Sequence, residues 1–471
     1  MTQGAEDRGG PVRARIAVAL GLTVLVTGGL VALDRLLGPV PPGGGGVASV
    51  ASGRSATLQE REISGTWFCP HSGGEGWRAW IAVVNPSHRA ATLRVTTVGA
   101  GGRRVETPAE VAPRSAAYVE VPAERAPAAS TVEYFGAPVG AGMVVALPRH
   151  EGVAADPCAP EASRRWVVPG GTTIRGQGAR LVVMNPFDIP ATVDVSLAAS
   201  RRVVRPGTLR GLVLPPRRSI SVNLNRYALG EDALAASVQA TLGRVVAGAV
   251  GIAGEEEGVR SAIGVPAPGR AWVFPGASDN GVSDLQVVAP TPLEVPLRVR
   301  GQLTGGPAPL VDEASVAGGF AERFDLEVER AGVVVESAGP HPLVASRRTG
   351  STDAGDGALT AGAHPSSARW LALPASAPGG EGARLILVNP GGDTARARVT
   401  LLSDTGPVDA PSLGTVALEA GRILVVDLTS LAGLRPVAAL VEVNDGTLVP
   451  AQESISEDGY AVSVGIPIEV F

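Results

Sequence analysis

A Trp stands at Trp67, Trp166, Trp272 and Trp370, and behind each the chain repeats nearly the same sixteen letters. The copies are "WIAVVNPSHRAATLRV" (Trp80 to Val95), "RLVVMNPFDIPATVDV" (Arg180 to Val195), "DLQVVAPTPLEVPLRV" (Asp284 to Val299) and "RLILVNPGGDTARARV" (Arg384 to Val399). The Trp spacings are 99, 106 and 98 residues. Asn-Pro recurs at Asn85-Pro86, Asn185-Pro186 and Asn389-Pro390, while Ala289 precedes Pro290 in the third copy. A unit of about 100 residues is the size of one small domain. Four copies in one chain therefore predict four homologous modules.

Within each unit the runs are short, Val-rich and bounded by Pro or Gly, of which the chain has 39 and 62. That pattern predicts strands separated by turns. Pro removes a ladder N–H, so a strand ends there, and the residue before it is pushed to extended backbone. An Asn in that place can bond nearby backbone and set the turn. Further runs follow each Asn-Pro, such as "RSISVNL" from Arg218 and "GRILVVDL" from Gly421. About seven strands per unit match the size and rhythm of an immunoglobulin-like sandwich. Aromatic residues are only 4%, so Val, Leu, Ile and Ala must fill the cores and the leading Trp is expected inside each. The expected fold class is all-β: an N-terminal transmembrane helix, then four tandem immunoglobulin-like β-sandwiches in a row.

The apolar stretch Ile16 to Leu33 carries no charge over eighteen residues, long enough for a transmembrane helix. Arg8, Arg13 and Arg15 precede it and only Arg35 follows closely, which predicts a cytoplasmic N-terminus. A cleaved secretory signal would need a small-residue site close behind the apolar run. Here come Asp34, Arg35 and "GPVPPGGGG" instead, so an uncleaved signal anchor is the better reading. The expected organisation is a cytoplasmic tail (1–15), a signal anchor (16–37) and a Pro/Gly-rich stalk (38–64). Sandwiches are expected over 65–160, 161–268 and, divergent, 269–346, then a linker or long loop (347–368) and a last sandwich (369–471). The protein would be a single-pass membrane protein with its bulk extracytoplasmic.

Two Cys fit that compartment. Cys69 and Cys158 bracket the first unit, and oxidising conditions favour a disulfide closing it. The rival is a metal set of Cys69, His71, His150 and Cys158, whose spacings are wider than zinc motifs use. No metal or cofactor is expected. The net charge of -5 argues against a nucleic-acid partner.

Catalytic motifs do not emerge. His88 falls in an Asn-Pro turn and His364 in the expected linker, both read as solvated. There is no G-x-S-x-G elbow, and "GGGG" at Gly43 has neither a strand before it nor a Lys after it. "GEEEG" (Gly254 to Gly258) reads as a hairpin tip. "DAGDG" (Asp353 to Gly357) and "DNGVSD" (Asp279 to Asp284) could offer calcium ligands but lack a full ligand spacing. Among aromatics outside the repeated position, Trp77 in a Gly-rich loop beside Arg78 is the candidate ligand contact, with edge packing as the alternative.

The anchor, the Ala-, Gly-, Val- and Arg-rich composition and the tandem W-x-x-P, V-x-N-P, V-x-V modules resemble an uncharacterised family of actinobacterial membrane-anchored extracytoplasmic proteins, which carry a domain of unknown function. The resemblance covers most of the chain beyond the anchor. It implies cell-envelope polysaccharide work beside a membrane glycosyltransferase and transfers no catalytic residue. The expected function is thus a non-enzymatic envelope scaffold or accessory protein. A carbohydrate-binding or sensing protein is the alternative, and a glycan-acting enzyme with dispersed carboxylates a weaker one.

Overall fold

The structure is a computed structural model that describes residues 58–59, 63–74, 76–122, 127–147, 152–253, 258–276, 283–327, 331–351, 356–380, 382–429, 436–456 and 459–469. The expected anchor, 16–37, lies outside the described residues, as does most of the stalk. Among the described residues no helix is long and apolar enough to cross a membrane.

The described chain is all-β, arranged in eight sheets, two for each repeat. In the first repeat, one sheet joins Ser64–Cys69, Ala129–Phe135, Ala91–Val98 and Arg104–Val111 in that order. The other joins Ser115–Val121, Arg78–Asn85, Gly140–Ala146 and Val153–Pro157. Numbered along the repeat, the orders are first, sixth, third, fourth and fifth, second, seventh, eighth. The other three repeats use the same two orders, the fourth strand being split in the second and last. An immunoglobulin sandwich places its first strand beside the second and its seventh beside the sixth. Here the first, fourth and seventh strands have changed sheets. The exit segment explains the first: Ala159, Val265 and Ala363 bridge back to Phe68, Val167 and Val273 on the first strands. In the last repeat Ile466–Glu469 does the same beside Trp370 and Leu371.

Each sheet pair encloses its own core around Trp67, Trp166, Trp272 or Trp370, all buried. The indole N–H of Trp67 donates to the Val139 carbonyl at 2.8 Å, that of Trp166 to Val245 at 2.7 Å and that of Trp272 to Leu343 at 3.0 Å. These carbonyls stand at equivalent places before the seventh strand. Trp370 donates instead to Ser367, at 3.0 Å.

The modules do not run in a row. The face of each Trp-bearing sheet that points away from its own core is apolar too, and it packs on the next module. Phe68 and Ala129 join the core of the second module, Ala233 and Ala235 that of the third, and Val273 and Val334 that of the fourth. Leu371, Leu373, Leu440 and Ile466 of the fourth then join the core of the first. The eighth strands follow the same circuit around an axis. Val153–Pro157 packs on Val259–Ile263, that on Asp356–Ala361, that on Gly459–Val464, and the last on the first. The chain from 52 to 471 is one compact unit, and it is a closed ring of four sandwiches. The physical reason is burial, since each large aliphatic side chain withdrawn from water contributes about 1.5–3 kcal/mol. A row would leave the outer face of the last Trp sheet wet. Leu58–Gln59 adds a parallel pairing with Ile468 and Glu469, so the two ends of the unit share one sheet.

The described residues of 347–368 are mostly strand, not the expected linker or long loop. Val344–Ser351 and Asp356–Ala361 form the seventh and eighth strands of the third module, paired from Ser346 with Ala361 to Ser351 with Asp356. The polar letters that suggest a loop are buried instead, among them Arg347, Thr349 and Thr360.

Candidate functional site

The repeated Asn residues are structural hubs. Asn185 is buried; its Nδ2 donates to the carbonyls of Ile189 at 2.8 Å, Leu214 at 3.2 Å and Pro215 at 3.1 Å. Its Oδ1 accepts from the Phe187 N–H at 3.1 Å. Asn85 repeats this with Arg89, Val111, Ala112 and Ser87, and Asn389 with Asp393, Leu418 and Gly391. The side chain therefore sets the Asn-Pro turn and ties it to the end of the fourth strand. In the third module, where Ala289 has no such arm, its backbone N–H donates to the Phe320 carbonyl at 3.1 Å and its carbonyl accepts from Gly319 at 2.8 Å. Pro86, Pro186 and Pro390 are half-buried and Pro290 is exposed.

Cys69 and Cys158 form a disulfide with Cα atoms 4.7 Å apart, which leaves no thiolate for a metal. His71, buried, is held by Ser130 Oγ at 2.9 Å and the Ser72 carbonyl at 2.7 Å. Burial pulls its pKa down to about 4, against the raising effect of the Ser72 carbonyl. His150 lies outside the described residues. Among the described residues no group of three or more His, Cys, Asp or Glu gathers as metal ligands would. His88 is exposed in its turn. His364 is not solvated: its ring lies 4.3 Å from that of Trp272, because the strand before it brings it onto the core.

The acidic motifs part company. Residues 254–257, Asp279 and Asp353 lie outside the described residues. Asp284 is buried and ion-paired, 2.6 Å from Arg348 Nε and 3.5 Å from Arg323 Nη2. Burial raises its pKa, and the two guanidinium groups counter that. Sequence reasoning missed Asp156, which is buried on the axis and accepts from the Ile263 N–H of the second module. Burial pushes its carboxyl well above the ordinary range. Arg347 was missed as well. It donates from Nη1 to the carbonyls of Gly276 and Ala331, both at 2.7 Å, and from Nε to Ser283 Oγ at 3.0 Å. Gln452, at the same place in the fourth module, donates to the Val437 carbonyl at 2.8 Å. The alternating pattern of the strand could have signalled both, since each stands where its repeat equivalents, Met143 and Ala249, face the core.

Clefts open at seams between modules; one of about 20 Å³ lies between the first and second, and two others differ widely in size. The larger, about 410 Å³, lies between the first and fourth modules and is lined by Arg78, Trp80, Ser454, Ser456 and loop glycines. Arg78 sits 4.7 Å above the Trp80 ring and 3.0 Å from Glu120. Both charges are well exposed, so their pairing contributes little. Trp77, the neighbouring candidate, does not reach this cleft. It is half-buried and wedged between the first and second modules beside Leu147, Val182 and Val250. The smaller cleft, about 30 Å³, lies at the seam of the second and third modules and is lined by Arg260, Asp284, Gln286, Arg323, Ser346 and Arg348 among others. Gln286 stitches that seam, donating to the Gly171 carbonyl at 3.0 Å and accepting from Gly170 at 3.2 Å.

The chain also matches the model of a known family. The model of a family of unknown function (DUF5719) matches residues 133–377 and again 343–459, together more than half of the chain. The chain belongs to this family. No curated protein matches the sequence. Among solved structures, the native conformation of E. coli alpha-2-macroglobulin is similar at 11% identity and a TM-score of 0.15, covering 85% of this chain and 30% of that one. A tetra-tandem repeat from the extending region of a large adhesion protein is similar at 12% identity and a TM-score of 0.10, covering 82% of this chain and 93% of that one. At those scores neither likeness carries an argument about this DUF5719 protein.

Proposed function

We propose that this DUF5719 protein is a non-enzymatic scaffold of the cell envelope, held by residues 16–37 at the outer face of the membrane and presenting the ring to a membrane glycosyltransferase or to polysaccharide assembly. The observation that carries the reading is how the chain uses its buried ionisable groups. Asp156 joins the first module to the second, Arg347 fastens backbone within the third, and Tyr460 donates to Glu453 in the fourth. Groups committed to joints in this way serve rigidity, and a rigid ring suits a platform. Crosslinking in intact cells tests it. Recovery of an envelope glycosyltransferase is expected, and recovery of bulk membrane proteins alone would count against it.

A second reading is favoured by the cleft of about 410 Å³ at the first and fourth modules, a volume within the range of small-molecule sites. Its hydroxyls, backbone groups and arginine are of the kind that hydrogen-bond a sugar. On a glycan array, binding by the wild type that Arg78→Ala abolishes and Trp77→Ala spares would favour this reading over the scaffold.

A further inference from the structure

The seam between the second and third modules differs from its counterparts. At the equivalent outward places of the first module stand Trp80, Ala82 and Val144, and of the second Arg180, Val182 and Val250, where the valines and the first module's three residues form apolar clusters and only Arg180 is charged. In the third stand Asp284, Gln286 and Arg348, with Arg323 on the adjoining strand. The charged side chains lining the cleft are Arg180, Arg260, Arg323 and Arg348 against Asp232 and Asp284, a local excess of positive charge in a poorly hydrated place. Asp284 accepts from Nε of Arg348, and among the described residues the Nη fork of that guanidinium has no protein hydrogen bond. Two residues along the same strand, and so on the same face, Ser346 is fully buried. Its Oγ has no hydrogen-bond partner, and neither has Nε of Arg323.

We propose that this cleft binds a small oxyanion, a carboxylate or phosphate group, through the Arg348 fork, Arg323 Nε and the Ser346 hydroxyl. Guanidinium forks match the paired oxygens of such groups. A buried donor left unmade is costly, and an incoming anion satisfies it. The free space of about 30 Å³ accommodates the oxyanion head, with the remainder of a larger ligand outside.

The experiment follows thermal unfolding of the full-length protein during titration with inorganic phosphate, sodium acetate or sodium glucuronate, each against sodium chloride at equal ionic strength. A saturable rise in Tm with at least one of these is expected, and comparison of the three distinguishes phosphate from carboxylate. Ser346→Ala removes a hydroxyl that bonds nothing, so the variant should fold as well as the wild type while binding the anion about tenfold more weakly. Arg396→Gln, on the exposed surface of the fourth module, should bind as the wild type does. A rise no larger than chloride gives, or one that Ser346→Ala retains in full, would overturn the proposal. So would a crystal grown in phosphate with ordered water alone in the cleft.

Discussion

Leu373 of the fourth module occupies the space that a side chain on Gly142 of the first would need. A Cβ at Gly142 would lie 2.7 Å from Leu373 Cδ1, and one at Gly140 3.0 Å from Leu371 Cδ1. The seam that closes the ring thus depends on two bare backbone positions facing two leucines. Gly142→Val is expected to destabilise the protein by about 1–3 kcal/mol through overpacking. Urea unfolding checks this; the second-site change Leu373→Ala should recover part of the loss, because the two side chains share one space.

The staple of the first module is a separate contribution. Phe68 and Ala159 exchange backbone hydrogen bonds of 2.8 Å beside the Cys69–Cys158 bond. Reduction, or Cys69→Ala with Cys158→Ala, is expected to cost roughly 2–5 kcal/mol. Unfolding with and without reductant gives the difference, which should vanish in the double variant.

Asn185→Ala removes one side chain that serves three carbonyls and one N–H. The expected cost is about 2–4 kcal/mol, since the partners stay buried and lose their bonds. Asn389→Ala should behave likewise. Equilibrium denaturation is the measurement, and an effect below about 0.5 kcal/mol would place the turn's stability in the Pro and backbone instead.

Much of this fold was legible because its repeat was. Trp spacing, Asn-Pro stops and Cys placement follow from side chains whose roles are local to one module. The ring was written in a subtler way. "LILV" from Leu385 and "IAVV" from Ile81 are apolar at every letter, the signature of strands covered on both faces. That signature requires a neighbour without naming which. The purpose of Gly140 and Gly142 is visible only once Leu371 and Leu373 lie against them. Residues 347–368 misled for the opposite reason: polar letters suggested solvent where Arg347 binds backbone inside the third module. Of the site, Arg78 and Asp284 came from local motifs. The oxyanion cleft did not, because Ser346 and Arg323 become neighbours of the second module only through packing.

His71 gives the first module an acid-sensitive element. Its pKa falls from 6.5 to about 4 on folding because burial disfavours the imidazolium. The unfolded chain therefore binds the proton more tightly, so this contribution is fully present above pH 6.5 and is lost as pH falls toward 4. Its size is about 3 kcal/mol. Asp156 acts in the opposite sense, its raised pKa making folding more favourable on the acid side. The pH profile of His71→Asn subtracted from that of the wild type isolates the histidine. A difference that rises from pH 4 to pH 6.5 is expected, and a flat one would contradict the buried neutral imidazole.

Closure of the four modules is most directly tested by small-angle X-ray scattering from residues 52–471. A compact ring of this length should have a radius of gyration of about 22 Å. Four sandwiches strung in a row would give about 40 Å and a long-tailed distance distribution, and that result would contradict the closed ring.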